Sequence, residues 1–190
     1  VTLNVGTGGL TVSSAVSLAN ASLRVDSQAA ATFNAGTTAK DTIVTATGAV
    51  GGTGSLNTSL GSLTVTGSGI GASGDYLDVS VAGGNLILTT TDTAGAGDIY
   101  ITSAADVSLG AITTGTFVDT VDIRTTGVGN DITIAAASVI DDNLVLDSDG
   151  IITVSANVSA ASMNIDAVGA VTDSGFVLTT TGGAGAGTLD

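Results

Sequence analysis

The sequence predicts an all-β solenoid: a single-stranded parallel β-helix of about nine coils, running through residues 1–190 as one continuous unit. Three observations predict it. An apolar position recurs at Leu3, Leu23, Ile43, Leu63, Leu86, Val107, Ile132 and Ile152, in steps of 20 to 25 residues. A second trace runs between these at Leu10, Phe33, Leu56, Leu77, Ile99, Val121, Leu144 and Met163. The palette is also that of strands and turns, with 28 Gly and 17 acidic residues, every one of them Asp. Asp, Asn and Gly favour turns, whereas the absent Glu favours helices.

The elements follow from this period. Runs such as Leu77–Val81, Asp98–Thr102, Val121–Arg124 and Asn130–Ile134 alternate with period two and are bounded by turn residues. Meanders and sandwiches use such strands without demanding a constant spacing. In a parallel β-helix, equivalent strands of successive coils pair about 4.8 Å apart, giving a rod of roughly 40 Å. The two traces then become two core faces, with Gly and Asn at corners that need positive φ. On the second face Leu77/Val79, Ile99/Ile101, Val121/Ile123, Leu144/Leu146 and Met163/Ile165 should point inward. Asp78, Tyr100, Asp122, Val145 and Asn164 should form one outward column, and Thr102, Arg124, Asp147 and Asp166 another. This places Arg124 one rung from Asp147 as a surface ion pair. A longer repeat is superimposed: Leu88–Thr91 followed by Ala94–Gly97 returns as Leu178–Thr181 followed by Ala184–Gly187, an offset of 90 residues and close to four coils. On that offset Leu189 matches Ile99, and the ninth coil starts at Phe176/Leu178 or at Val171.

Composition excludes several functions. With three Lys and Arg, no His and a formal charge of −14, the chain lacks the clustered cations that nucleic acid requires. An anionic bilayer would repel it, and no run approaches the ~18 apolar residues of a membrane helix. Zero Cys excludes disulfides and thiolate metal sites. No leader is visible and neither end carries a polar cap, so the chain reads as a fragment of a longer repetitive protein whose open ends invite another chain.

Gly97–Thr114, Gly129–Ile134 and Asp149–Val154 resemble the coil consensus of filamentous-haemagglutinin-type repeats, best over residues 75–190. That family comprises secreted bacterial exoproteins built as right-handed parallel β-helices. The resemblance implies a secreted or bacterial cell-surface adhesin stalk, fibre or coat, and it carries over no catalytic residues. The expected partners are other copies of the chain, end to end or laterally, or a host or cell-surface glycan. The alternative is a carbohydrate-binding or polysaccharide-degrading β-helix.

The densest acidic stretch, Asp141, Asp142, Asp147 and Asp149, is the candidate calcium site. Asp147-Ser148-Asp149-Gly150 places hard oxygen ligands at a tight Gly turn, but no Glu supplies a bidentate ligand. Asp and Gly also simply make corners. Asp141-Asp142 could form an acid–base pair, yet sugar-binding aromatics are scarce, and the chain is read as a non-enzyme. Thr45–Thr47, Thr64–Thr66 and Thr89–Thr91 resemble ice-binding arrays but fit ordinary β-branched strand residues. Asn20, Asn57 and Asn157 head glycosylation sequons, and the Gly-rich stretches lack the Lys-Ser/Thr of a phosphate loop.

Overall fold

The computed structural model describes residues 1–91, 97–115, 119–141 and 143–181. The first coil runs through β1 (Thr2–Val5), β2 (Leu10–Val12) and β3 (Val16–Leu18). The second holds β4 (Leu23–Ser27), β5 (Ala31–Phe33) and β6 (Thr37–Ala39), and the third β7 (Thr42–Ala46), β8 (Val50–Gly51) and β9 (Ser55–Thr58). Next come β10 (Leu63–Gly67) with β11 (Leu77–Val81), β12 (Leu86–Thr90) with β13 (Ile99–Ser103), and β14 (Val107–Thr113) with β15 (Thr120–Thr125). The seventh coil has β16 (Ile132–Ile134), β17 (Ser138–Val139) and β18 (Asn143–Ser148), and the eighth β19 (Ile152–Val154), β20 (Val158–Ala160) and β21 (Ser162–Ala167). β22 (Val171–Asp173) and β23 (Leu178–Thr180) open a ninth, so the described chain makes about eight turns.

Every strand pairing is parallel. The first ladder is β1-β4-β7-β10-β12-β14-β16-β19-β22, and the second runs β3-β6-β9-β11-β13-β15-β18-β21. A third ladder, β2-β5-β8, extends through Ile70, which bridges Val50 on one side and Ile99 on the other. The third ladder therefore merges into the second at β13. One rung further on, at β14, the first ladder splits. Leu86 pairs with Leu109 but Leu88 with Ile112, so β14 carries an extra residue, a bulge of the kind that bends a strand. Its first half continues into β16 and its last residue, Thr113, into β17. Gly110 sits at the bulge, where a Cβ would press on the Ile87 side chain.

The interior is one continuous cluster of Val, Leu, Ile and Ala with Phe33 and Met163. All five inward pairs expected on the second face are buried there. The 90-residue offset is four rungs: Leu88 leads through Ile112, Ser138 and Val158 to Leu178. Beside it an outward column passes through Asn4, Asp26, Thr45, Thr66, Thr89, Thr113, Val139, Ser159 and Thr179. The Thr-rich repeats are thus the outer face of the first ladder. The Ala94–Gly97 match rests on residues 94–96 and 184–187, which lie outside the described residues, as does Leu189. Val171 belongs to the first ladder and Leu178 to its branch, so the ninth coil begins at Val171.

Two expected alignments are corrected. Ile43 does not follow Leu23 into the core: Leu23 pairs with Thr42, which is buried, while Ile43 stands beside Arg24 and is 37% exposed. The strand Thr42-Ile43-Val44-Thr45-Ala46 has apolar residues in both phases, and a one-residue slip moves every side chain to the other face. The second trace also changes ladder, with Leu10 and Phe33 on the third and Leu56 onward on the second.

Corners are closed by small polar residues. Buried Ser103, Thr125 and Ser148 end successive second-ladder strands and donate to turn carbonyls: Ser103 Oγ to Ala105 O (2.9 Å), and Thr125 Oγ1 and Ser148 Oγ to Asn130 O (2.8 and 3.0 Å). At the entry to the first ladder, side chains bond from rung to rung. Ser22 Oγ donates to Asp41 Oδ2, Asp131 N to Asp106 Oδ1, and Ile151 N to Asp131 Oδ1.

Candidate functional site

The richest side-chain constellation among the described residues lies where the third ladder merges into the second. Ile70 pairs with Ile99 and Leu77 with Ile101, so the six residues Gly71–Tyr76 span what Tyr100 alone spans on the next rung. The excess is extruded as a tight hairpin, with Ala72 and Asp75 exchanging backbone hydrogen bonds of 3.0 and 2.9 Å. Gly71 and Gly74 have φ of 67° and 86°, and a Cβ on Gly71 would strike the Tyr100 carbonyl. Both positions therefore demand glycine.

The hairpin delivers Tyr76 onto the outer face of the second ladder. Its ring meets Tyr100 edge-on, with centroids 5.4 Å apart and planes at 74°. The Arg124 guanidinium lies 5.1 Å from the Tyr76 ring centroid. Beneath them Asp122, 6% exposed, accepts from Arg124 Nε (2.9 Å), from the other arm of the fork (2.8 Å) and from Tyr76 Oη (2.7 Å). Burial pushes the Asp122 carboxyl up, but the hydrogen bonds from Arg124 and Tyr76 outweigh it and hold it below the usual range. Burial, then the bond to Asp122, pushes the Tyr76 phenol up to about 12. Neither group exchanges a proton near neutrality, so this cluster can brace and bind but is poorly tuned for acid–base work.

Asp78 is not in the Tyr100 column. It pairs with Thr102, in line with Arg124, because the hairpin shifts β11 by two residues; Tyr100, Asp122, Val145 and Asn164 do align. Arg124 stands in register with Asp147, yet its ion pair is with Asp122, two residues away on its own strand. That geometry lets both arms of the fork engage one carboxylate.

The three described calcium candidates are dispersed. Asp141 is exposed before β18 and its backbone N–H donates to Thr114 Oγ1. Asp147 projects from β18 beside Asp166 on the next rung. Asp149 lies at the following corner and accepts from Gly127 N at 2.7 Å. Asp142 lies outside the described residues. Asp141 and Asp147 flank nearly the whole of β18, about 20 Å apart at ~3.3 Å per residue. Among the described residues no three His, Cys, Asp or Glu side chains are grouped to hold a metal ion. Asp119 is fully buried beside Gly97, at the edge of the second ladder.

Comparisons with family models, curated proteins and solved structures returned no match in any of the three. The site and the fold therefore carry the functional reading alone.

Proposed function

We propose that this chain is a structural or adhesive segment of a secreted bacterial surface protein resembling filamentous-haemagglutinin-type exoproteins. On this reading it forms part of a stalk, fibre or coat and acts through self-assembly and surface contacts. The observation that supports it is the first ladder, nine parallel strands paired without interruption from β1 to β22. The pairing that joins one coil to the next is available to any further coil, whether from the same polypeptide or from another copy. Sedimentation velocity over a concentration series, with and without calcium, tests it. Growth of oligomers with concentration supports the reading; a monomer throughout opposes it.

A second reading, a carbohydrate-binding β-helix, is favoured by the Tyr76–Tyr100–Asp122–Arg124 cluster. Both tyrosines of the chain meet there beside an Arg and an Asp, and aromatic and Arg side chains are typical anchors of binding surfaces. A glycan array with wild type and Tyr100→Ala discriminates. Signal lost in the variant favours this reading, and an array without signal removes it.

A further inference from the structure

We propose that Tyr76 and Tyr100 form a built-in cross-linking site. A one-electron oxidant of the peroxide-driven haem class joins the two rings there, by a carbon–carbon bond between ring carbons next to the hydroxyls. The proposal is independent of assembly and of glycan binding, and it gives the rod a covalent brace.

Composition singles out the pair. The chain has no Cys, Trp or His, one Met and two Tyr. Met163 is only 8% exposed in the core, while both tyrosines are half-buried on the outer face. An oxidising equivalent that reaches the surface therefore finds two electron-rich side chains, and they are neighbours. Without Cys, no disulfide can serve the same end.

Geometry favours their coupling. Leu77 pairs with Ile101, so Tyr76 and Tyr100, each one residue earlier, stand on adjacent rungs about 4.8 Å apart. Their ring centroids are 5.4 Å apart and the planes cross at 74°. A bond between two aryl rings is itself twisted, so steeply crossed rings reach it by a small side-chain shift. Half-buried rings have that freedom. A neighbour held this close outcompetes any tyrosine of a second molecule in dilute solution.

The proton also has an acceptor. The Arg124 guanidinium lies 5.1 Å from the Tyr76 ring centroid, and its positive charge opposes a cationic ring. Tyr76 must therefore release its hydroxyl proton together with the electron. Its Oη already donates to Asp122 Oδ2 over 2.7 Å. A phenol losing an electron becomes a far stronger acid, so this carboxylate takes the proton. Tyr100 then loses its own electron and hydroxyl proton, the latter to solvent. The two neutral radicals pair, forming the carbon–carbon bond, and the hydrogen on each joined carbon returns to a phenol oxygen. Two electrons and two protons leave the protein and reduce one hydrogen peroxide to two waters. The bond closes the chain from Tyr76 through β11 and β12 to Tyr100, one whole coil, into a covalent ring.

The experiment treats the dilute full chain with a haem peroxidase and hydrogen peroxide, then maps its peptides by mass spectrometry. Wild type should give a monomer lighter by two hydrogen atoms, with the Tyr76 and Tyr100 peptides joined. The yield of that product should not fall on roughly tenfold dilution. It should unfold in urea at least about tenfold more slowly than untreated chain. Tyr76→Phe should give no link, and neither should Tyr100→Phe, which keeps the Tyr76–Asp122 hydrogen bond. Asp122→Asn should couple at least about fivefold more slowly. Links found only between molecules would overturn the proposal. So would oxidation confined to Met163 while circular dichroism shows intact strands. Coupling of Asp122→Asn at the wild-type rate would overturn the proton route.

Discussion

The Tyr76 hydroxyl donates to Asp122 Oδ2 over 2.7 Å, although 46 positions separate the two in sequence. The contact spans two rungs, from the hairpin before β11 to β15, and pins the one extruded segment of the fourth coil onto the sheet. It also explains how a carboxylate on an outward column becomes buried: Tyr76 and Arg124 cover it.

Tyr76→Phe should lower stability to urea by about 1 kcal/mol, the usual worth of one buried hydrogen bond. Arg124→Ala should cost about 1–2 kcal/mol, held down because its side chain is 44% exposed. In a double-mutant cycle Tyr76 and Asp122 should couple by at least ~0.5 kcal/mol. Additive effects would show that the contact does not form.

Asp122 sets an acid limit. Its folded pKa lies below its unfolded value, so its contribution is present above the unfolded carboxylate pKa of about 4 and is lost as pH falls through the lower folded value. Asp122→Asn should flatten the acid limb of the stability profile. Tyr76 sets an alkaline one: raised from 10.0 to about 12, it stabilises fully below pH 10 and ceases to do so as pH rises through the folded value. Phenolate absorbance should show one tyrosine titrating near 12, and Tyr76→Phe should remove that step.

The phase of β7 is open to direct test. Thr42 Oγ1 is buried without a hydrogen-bond partner among the described residues, so Thr42→Val should stabilise by roughly 1 kcal/mol. Ile43→Thr should be close to neutral, whereas Val44→Asp should prevent folding. The opposite order in thermal denaturation would restore Ile43 to the core.

Calcium should not bind as a single four-Asp site. Titration calorimetry of the EDTA-stripped protein should show no saturable stoichiometric heat that Asp147→Asn abolishes. Such a heat would require Asp147 to be grouped with other ligands.

The fold was legible in the sequence because one small apolar residue per face per coil suffices to mark a rung, and the inward pairs from Leu77 to Ile165 were readable for that reason. Strands that are apolar in both phases were not: nothing in Thr42–Ala46 says that a buried hydroxyl beats an exposed Ile. The Tyr76 cluster was missed because its members lie on three coils and meet only through a hairpin. The signal was present as the 23-residue step from Leu63 to Leu86, longer than its neighbours, with one of only two tyrosines at the end of the excess. The acidic stretch at Asp141–Asp149 suggested a shared ion, but of its described members Asp141 precedes β18, Asp147 projects from it and Asp149 lies at the corner after it.

Electron microscopy of the purified chain over a range of concentrations tests self-assembly by direct view. End-on assembly should give unbranched fibres one rod wide, with lengths rising in steps of about 40 Å, the span of eight turns at ~4.8 Å each. Isolated particles of about 40 Å at every concentration would contradict it.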